Sequence, residues 1–510
     1  MDERRDRELA GDKRHIVVLS DIHIGTDVPT VWFQPEIHQR GLERVLKWVV
    51  DQASHIKELI LLGDVVDLWT YPMDMKPPTF GEIIETHPTI FGEQGLIAEC
   101  LEALEGAVTY LPGNHDMGVC PEDVARIRSA SGHSVGFGGD LYRPTKEVLV
   151  EHGHHHTLFN SPYPNTRWGE LPIGYFITRA VSTATQRRLE PGQSVADLPE
   201  QGAPNGIDLS SLGSALSGIP SASIAATVLD FIVGSTGVGW DEEIVMVDNT
   251  TTTLREVREV YLDLWSAYGV ANGGGTFAHA VSYRAAMADL DGSYLGWFAQ
   301  RRALLEGAEL VVMGHTHTPV GSLEDGFVEY VNSGYDCPSL PDQQRDDDPQ
   351  RATFVVVDLE PECVDAEVWV IGEVIEPLVA APARVVGSMG SDYSCYVEVD
   401  NTVGTDRLEL VDHGASFGVW VVDPPAAIEA GSEGRMWLQD QIGVAGSDGW
   451  ATYRRSSDGG LIDLKFTCPT MGLNACSGTP DFATRTGSEP WQDHAVSHWG
   501  HPFSVAFEVR

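Results

Sequence analysis

The chain has 510 residues, more than a single hydrophobic core accommodates, and its 42% apolar and 21% charged residues are those of a globular protein, not a disordered or fibrous one. With 75 Asp and Glu against 33 Lys and Arg, the net charge is -42, and lysine occurs only at Lys13, Lys47, Lys57, Lys76, Lys146 and Lys465. Such a field disfavours nucleic acid as a polyanion and anionic membrane surfaces, while a nucleotide remains compatible with it.

Solubility at high salt or an acidic proteome would each give this bias. Residues Met1 to Arg14 are a charged tail without the apolar stretch of a secretory signal, and Ser210 to Leu229, rich in Ser and Gly, is too polar for a membrane span. The seven cysteines are scattered, which is not a disulfide framework, although Cys468 and Cys476 are close enough for a loop bridge. A soluble, cytoplasmic protein is the expectation.

The first predicted strand is His15 to Ser20, an unbroken β-branched run of the kind buried on both faces of a sheet. It delivers Asp21 and His23 at its C-terminal end, where α/β proteins usually build their sites. A helix is predicted over Gly41 to Asp51. The second strand, Glu58 to Leu62, ends in Gly63-Asp64-Val65-Val66-Asp67. The third, Ala107 to Leu111, runs into Gly113-Asn114-His115-Asp116, where the glycine permits a tight turn. Val148 to Glu151 delivers His152-Gly153-His154-His155-His156, and Leu310 to Met313 delivers Gly314-His315-Thr316-His317. Five strand ends thus carry carboxylate, amide and imidazole groups, a donor set of the hard-to-borderline kind that suits Mn, Fe, Zn or similar ions.

The ordered blocks Asp-x-His, Gly-Asp-x-x-Asp, Gly-Asn-His-Asp, His-Gly-His and Gly-His-x-His resemble those of the calcineurin-like metallophosphoesterases. The resemblance implies an α/β domain over residues 15–372, a β-sandwich flanked by helices with two divalent transition metal ions at its strand ends, Mn favoured. One ion would take Asp21, His23, Asp64 and His317. The other would take Asp64, Asn114, His152 and His315, with Asp64 shared. It further implies hydrolysis of a phosphate mono- or diester by a metal-bridging hydroxide, with His115 stabilising the phosphoryl oxygens and protonating the leaving group. Asp67 and Asp116 would orient the histidines. His154 is an alternative ligand or a phosphate contact, and His155 and His156 are surface or substrate-side residues.

Residues 157–302 form a long excursion that is expected to be a helical cap, with helical periodicity over Glu256 to Tyr268 and Ala278 to Leu305. Its apolar faces make either cap core, the favoured alternative, or an acyl-binding groove. The run Leu158-Phe159-Asn160 and Pro172-Ile173-Gly174-Tyr175-Phe176 resembles a bacterial subgroup in which an Asp would stand at Thr157. Arg179, Arg187 and Arg188 are candidate phosphate contacts, Arg179 foremost. Tyr330 to Gly334 is a strand and turn that close the site. Thr353 to Leu359 and Ala366 to Ile371 make an antiparallel pair, and Gln343 to Arg351 a solvated charged loop.

Composition changes near Pro377, which predicts a linker over residues 373–388. Beyond it, 389–510 reads as an all-β sandwich, with strands at Cys395 to Val399, Arg407 to Leu410, Gly418 to Val422, Trp450 to Arg454, Leu461 to Phe466 and Phe503 to Val509. The Gly-Val-Trp at 418–420, the Gly-Trp-Ala-Thr-Tyr at 449–453 and the Pro-Thr-Met-Gly-Leu-Asn at 469–474 are similar to aegerolysin-like domains. That likeness implies a lipid or membrane surface as partner, with Trp437, Trp450, Trp491 and Trp499 either inserting there or filling the core. The alternative to an enzyme is therefore a lipid- or partner-binding protein with a structural metal site.

Overall fold

The computed structural model describes residues 6–164, 166–198, 223–272, 294–334, 352–360, 364–385, 392–441, 445–479, 482–486, 492 and 497–510. The loop 343–351, Trp491 and the first residues of the expected sandwich lie outside them, as do parts of the excursion. In chain order the first strands are β1 (His15–Leu19), β2 (Ile56–Leu62), β3 (Val108–Leu111), β4 (Gly136–Phe137), β5 (Val148–Val150), β6 (Ile244–Val245) and β7 (Thr251–Thr252). They continue with β8 (Leu310–Met313), β9 (Val320–Glu324), β10 (Glu329–Asn332), β11 (Ala352–Leu359), β12 (Val364–Ile371), β13 (Ile375–Pro377) and β14 (Ala381–Arg384).

Two sheets organise this part. The first has the order β13-β12-β11-β1-β2-β3-β4, with β1 to β4 parallel and the β11–β13 side antiparallel. The second has the order β14-β9-β10-β8-β5, with β5, β8 and β10 parallel. Ile16, Val18, Ile60 and Leu62 of the first sheet meet Val148, Val150, Leu310 and Val312 of the second. Their neighbours Val17, Leu19, Leu59 and Leu61 turn the other way, onto the helices Pro35–Asp51 and Leu96–Ala103. Burial on both faces explains the unbroken apolar runs, each such side chain contributing about 1.5–3 kcal/mol. The helix Pro35–Asp51 starts on a proline and buries Leu42, Val45, Leu46 and Val49, the i, i+3, i+4, i+7 stripe of an amphipathic helix.

The far face of the second sheet, through Leu149, Val311, Met313 and Tyr330, packs against the excursion. There the helices Ile173–Gln186, Ile224–Thr236, Leu254–Val260, Leu264–Ala271 and Leu295–Glu306 bury their apolar sides in one cluster with the sheet. The described part of the excursion is thus an outer layer whose apolar faces are core. The periodic stretch 256–268 is two helices, broken at residues 261–263. Among the described residues no helix is long and apolar enough to cross a membrane.

The expected linker is not one. Within residues 373–388, Ile375–Pro377 pairs with β12 and Ala381–Arg384 pairs with β9, one strand in each sheet. Both are edge strands, where a proline's missing N–H costs no ladder bond, so a Pro-rich stretch can read as a linker and still be sheet.

The C-terminal part is all strand: β15 (Cys395–Asp400), β16 (Leu408–Phe417), β17 (Val419–Val422), β18 (Ala427–Ile428), β19 (Glu433–Gln439), β20 (Ser447–Arg455), β21 (Leu461–Cys468), β22 (Asn474–Thr479), β23 (Phe482–Arg485), β24 (Ser497–His498) and β25 (Phe503–Val509). They form a five-stranded sheet, β17-β19-β15-β25-β23, and a six-stranded one, β18-β16-β20-β21-β22-β24, antiparallel except for β15 beside β25. Val397, Met436, Leu438 and Val505 of one meet Tyr453, Leu464 and Phe466 of the other. Cys468 is a free thiol, so the loop bridge to Cys476 is not formed. Trp437 belongs to neither a lipid face nor the sandwich core. It is buried with Tyr396 in the cluster of the helical layer, against the helix Leu295–Glu306.

Candidate metal centre

The site lies where the parallel strands of both sheets end. Asp21 and His23 follow β1, Asp64 follows β2, Asn114 to Asp116 follow β3, His152 follows β5, and His315 and His317 follow β8. All are at least nine-tenths buried. Five of them hold left-handed backbone conformations that L residues rarely adopt: Asp21 (φ 56°), His23 (58°), Asp64 (51°), His315 (75°) and His317 (55°). Such conformations cost roughly 1–3 kcal/mol each and persist where the surroundings over-determine them, as at functional sites. Gly113 is required by close approach, since a Cβ there would overlap the Asp64 carboxylate. Gly63 has φ 67°, and a Cβ on it would overlap the His152 ring.

Among the described residues, three buried groups of side chains can hold a metal ion: Asp21, His23 and His317; Asp64, His152 and His315; and His23, Asp64 and His115. Within each, the candidate ligand atoms lie within 4.8 Å of one another. Asp64 joins the groups. Its Oδ2 is 3.2 Å from His152 Nε2 and 3.8 Å from His23 Nε2, while its Oδ1 accepts the backbone N–H of His115 at 2.7 Å. His317 Nε2 lies 3.2 Å from His23 Nε2 and 3.6 Å from Asp21 Oδ1. Asn114 Oδ1 is buried without a hydrogen-bond partner, and His152 Nε2 faces the carboxylates of Asp64 and, at 3.8 Å, Asp21. An orphaned amide oxygen among buried carboxylates and imidazoles is what a cation would satisfy, and the mixed N and O donors suit a transition ion.

Other residues hold these in place. Asp67 accepts from Trp69 N and Thr70 N at 2.8 and 3.0 Å, and its carboxylate faces His115 Nδ1 at 3.1 Å and His23 Nδ1 at 3.4 Å. Asp116 accepts from the backbone of Gly113, Asp64 and Val65 and from the Tyr110 hydroxyl. His152 Nδ1 is 3.1 Å from Leu62 O. At Thr157 the hydroxyl donates to His154 O at 3.1 Å and stands 3.1 Å from His315 Nε2. With its one proton so directed, Thr157 accepts from Nε2–H and leaves Nδ1 of His315 as the free lone pair. Thr157 therefore holds the His315 ring in place.

Electrostatics follow from this crowding. Burial alone would raise Asp64 and Asp67, but His152 and His115 beside Asp64, and His115 and His23 beside Asp67, hold both below the usual carboxylate range. Burial and the neighbouring Asp64 push Asp116 up to about 6. Burial would lower His152, yet Asp64 and Asp21 outweigh it and raise it to about 9. Burial and adjacent imidazoles depress His154, His315 and His317, which keeps their lone pairs available.

His154 is buried beside the site, its ring centroid 5.5 Å from His152 and 6.4 Å from His315, with Nδ1 unpartnered. His155 packs on it at 4.3 Å. His156 is not a surface residue: it is buried, its Nε2 is 2.9 Å from Glu151 Oε1, and its ring stacks on Phe298 at 4.3 Å. Arg179 is also elsewhere. It is fully buried, donating to the carbonyls of Tyr71, Pro72, Met75 and Val245 and to the Tyr175 hydroxyl, so its guanidinium knits backbone together and is not open to substrate. Arg187 pairs with Glu242, and Arg188 is exposed.

Two aromatic residues at the site escape the sequence reading. Trp69 stacks on His115 at 4.5 Å, and Trp32 lies 4.7 Å from His23 and 4.9 Å from His115. Trp69 is two residues past Asp67, which is the available signal, whereas Trp32 sits in a loop with no motif of its own.

No protein-family model and no curated protein matches this chain. Among solved structures, that of the lipid-binding protein Nakanori aligns at 12% identity over 22% of this chain and 69% of that one, with a TM-score of 0.18. A likeness this slight defines neither fold nor function.

Proposed function

We propose that this chain is a two-metal phosphoesterase of the calcineurin-like kind, hydrolysing a phosphate mono- or diester. The observation that carries it is Asp64, whose Oδ2 stands between His23 of one buried ligand group and His152 of the other. Two sheets packed face to face between helical layers, with all ligands at parallel strand ends, support the same reading. Asp21, His23, Asp64 and His317 would hold one ion, and Asp64, Asn114, His152 and His315 the second. Divalent transition ions held there, Mn the first choice, would supply Lewis acidity and would make a bound water more acidic.

The chain's own residues do the rest. The Asp67 carboxylate accepts from His115 Nδ1, which leaves Nε2 to exchange a proton with the leaving-group oxygen. Burial would lower His115, but Asp67 and Asp64 outweigh it and raise its pKa, which favours the acid form. Asp116 fixes the turn between Gly113 and His115 by gathering backbone N–H groups. His154 borders this site and is kept as a phosphate contact. The test is a panel of p-nitrophenyl phosphate, its bis ester, cyclic nucleotides and phospholipids with Mn added. No turnover by protein that carries stoichiometric metal would leave the centre structural.

A lipid surface as partner of the C-terminal sandwich is a second, compatible reading. Met471 is 89% and Trp499 70% exposed, and with Leu473 they flank the paired strands β22 and β24. The net negative charge favours zwitterionic headgroups over anionic ones. Flotation of the full chain on phosphatidylcholine vesicles, with loss of binding in Trp499→Ala, tests it.

A further inference from the structure

The outer wall of the site is aromatic. The Trp32 ring lies 4.7 Å from His23, 4.9 Å from His115 and 6.1 Å from His317, touching both the candidate acid and one ligand group. His115 also packs against Trp69, stacked at 4.5 Å, which is itself backed by Tyr175 at 5.8 Å. Trp69 is 2% exposed, whereas Trp32 is half-buried. The imidazole therefore has one indole sealed in the core and one reaching solvent. Of the two indoles against His115, that of Trp32 is the one a leaving group arriving from solvent can meet.

We infer that Trp32 forms the leaving-group wall of the site and selects phosphate esters whose leaving group is a flat, apolar aryl alcohol. This rests on the phosphoesterase reading above. The chemistry is that of ring against ring: aromatic pairs gain about 0.5–1.5 kcal/mol beyond area burial, which a small alkyl group does not share. The wall is also held rigid. Val31 and Phe33 on either side are buried, Thr30 Oγ1 donates to Thr70 O at 2.6 Å, Gln34 Nε2 donates to Val31 O at 2.6 Å, and Pro29 O accepts from Val195 N at 2.8 Å. A wall fixed before substrate arrives spends little of the contact energy on ordering itself.

The test compares the Mn-loaded full chain with Trp32→Leu and Trp32→Phe on an aryl and a fluoroalkyl phosphate of similar leaving-group acidity. Trp32→Leu should lower kcat/KM for the aryl ester about three- to tenfold and leave the fluoroalkyl ester within about twofold, with Trp32→Phe in between. Calorimetry with phenylphosphonate and methylphosphonate gives a binding readout: only the phenyl compound should weaken. Metal content equal to wild type establishes that the site is intact in each variant. Equal losses for both esters and both phosphonates overturn the Trp32 assignment and leave the phosphoesterase reading standing. No hydrolysis of either ester by metal-loaded wild type overturns that reading and this inference with it.

Discussion

The guanidinium of Arg301 lies 4.0 Å from the ring centroid of Trp437 and 4.3 Å from that of Trp297, so the C-terminal sandwich is fastened to the helix Leu295–Glu306. Asp392 reinforces the joint, accepting from Trp297 Nε1 at 2.7 Å and from the Tyr396 hydroxyl at 3.1 Å. The same helix reaches the loop that carries the candidate ligand His152, since Phe298 stacks on His156 and Arg302 lies 3.5 Å from Glu151. The sandwich is therefore packed against the helical layer and not joined to it through the chain alone. Trp437→Ala should destabilise the chain by about 3–5 kcal/mol, the usual cost of emptying a buried aromatic site. A chain ending at Gly372 also loses β13 and β14 and should not fold to the full-length melting temperature. Urea unfolding of the two, beside one ending at Val385 that keeps both strands, measures it. An unchanged midpoint in Trp437→Ala would mean the joint is energetically idle.

Glu329 gives a pH prediction away from the site. It starts β10, where burial and the carboxylate of Asp365 push it up to about 8, against an ordinary value near 4.5. Between those values the folded chain keeps a proton that the unfolded chain releases, so stability falls as pH rises. The contribution is fully present below about pH 4.5 and lost above about pH 8. Glu329→Gln should flatten that part of the profile and gain on wild type as pH rises from 5 to about 9. Parallel profiles in thermal melts would show that Glu329 does not titrate in this window.

Metal removal should be read in stability as well as activity. Asp21, Asp64, Asp67 and Asp116 are buried together, and a bound cation balances charge that otherwise falls to the histidines. Binding to the folded state alone stabilises it by about 2.7 kcal/mol at a hundredfold excess over Kd. Chelator should lower the melting temperature and Mn should restore it. Asp64→Asn should abolish the restoration and most of the bound metal, because its carboxylate is the proposed ligand of both ions. A variant that retains full metal content refutes the bridging role.

Much of this was legible in the letters. Strands buried on both faces, such as β1 and β2, are unbroken apolar runs, and a polar cluster directly after each is conspicuous by contrast. The strands of the sandwich were visible from alternation, as in Leu461–Cys468. What the letters hid were contacts that depend on who meets whom. Arg179 looks like any scarce cation until its carbonyl partners at Tyr71, Pro72 and Met75 are seen. Trp437 reads as sandwich core because nothing local announces Arg301 across the boundary. The edge strands β13 and β14 are short and proline-bearing, so composition favoured a linker where tertiary pairing made sheet.

His115 carries the sharpest mechanistic prediction. Its Nδ1 is 3.1 Å from Asp67 Oδ1, its backbone N–H holds Asp64 Oδ1, and its ring is packed against Trp32 and Trp69. Replacing the ring removes proton transfer without removing any of the ligands proposed for the two ions. His115→Ala should therefore cost about 10²–10⁴ in turnover for an ester with a poor leaving group, the usual range for a general acid. A nitrophenolate leaves without help, so p-nitrophenyl phosphate should lose far less. Asp67→Asn should show the same pattern in weaker form, because an amide in its place no longer favours the charged imidazole. Bound metal in His115→Ala should match wild type by elemental analysis. If both leaving groups lose activity equally at full metal content, His115 binds phosphate and does not deliver the proton.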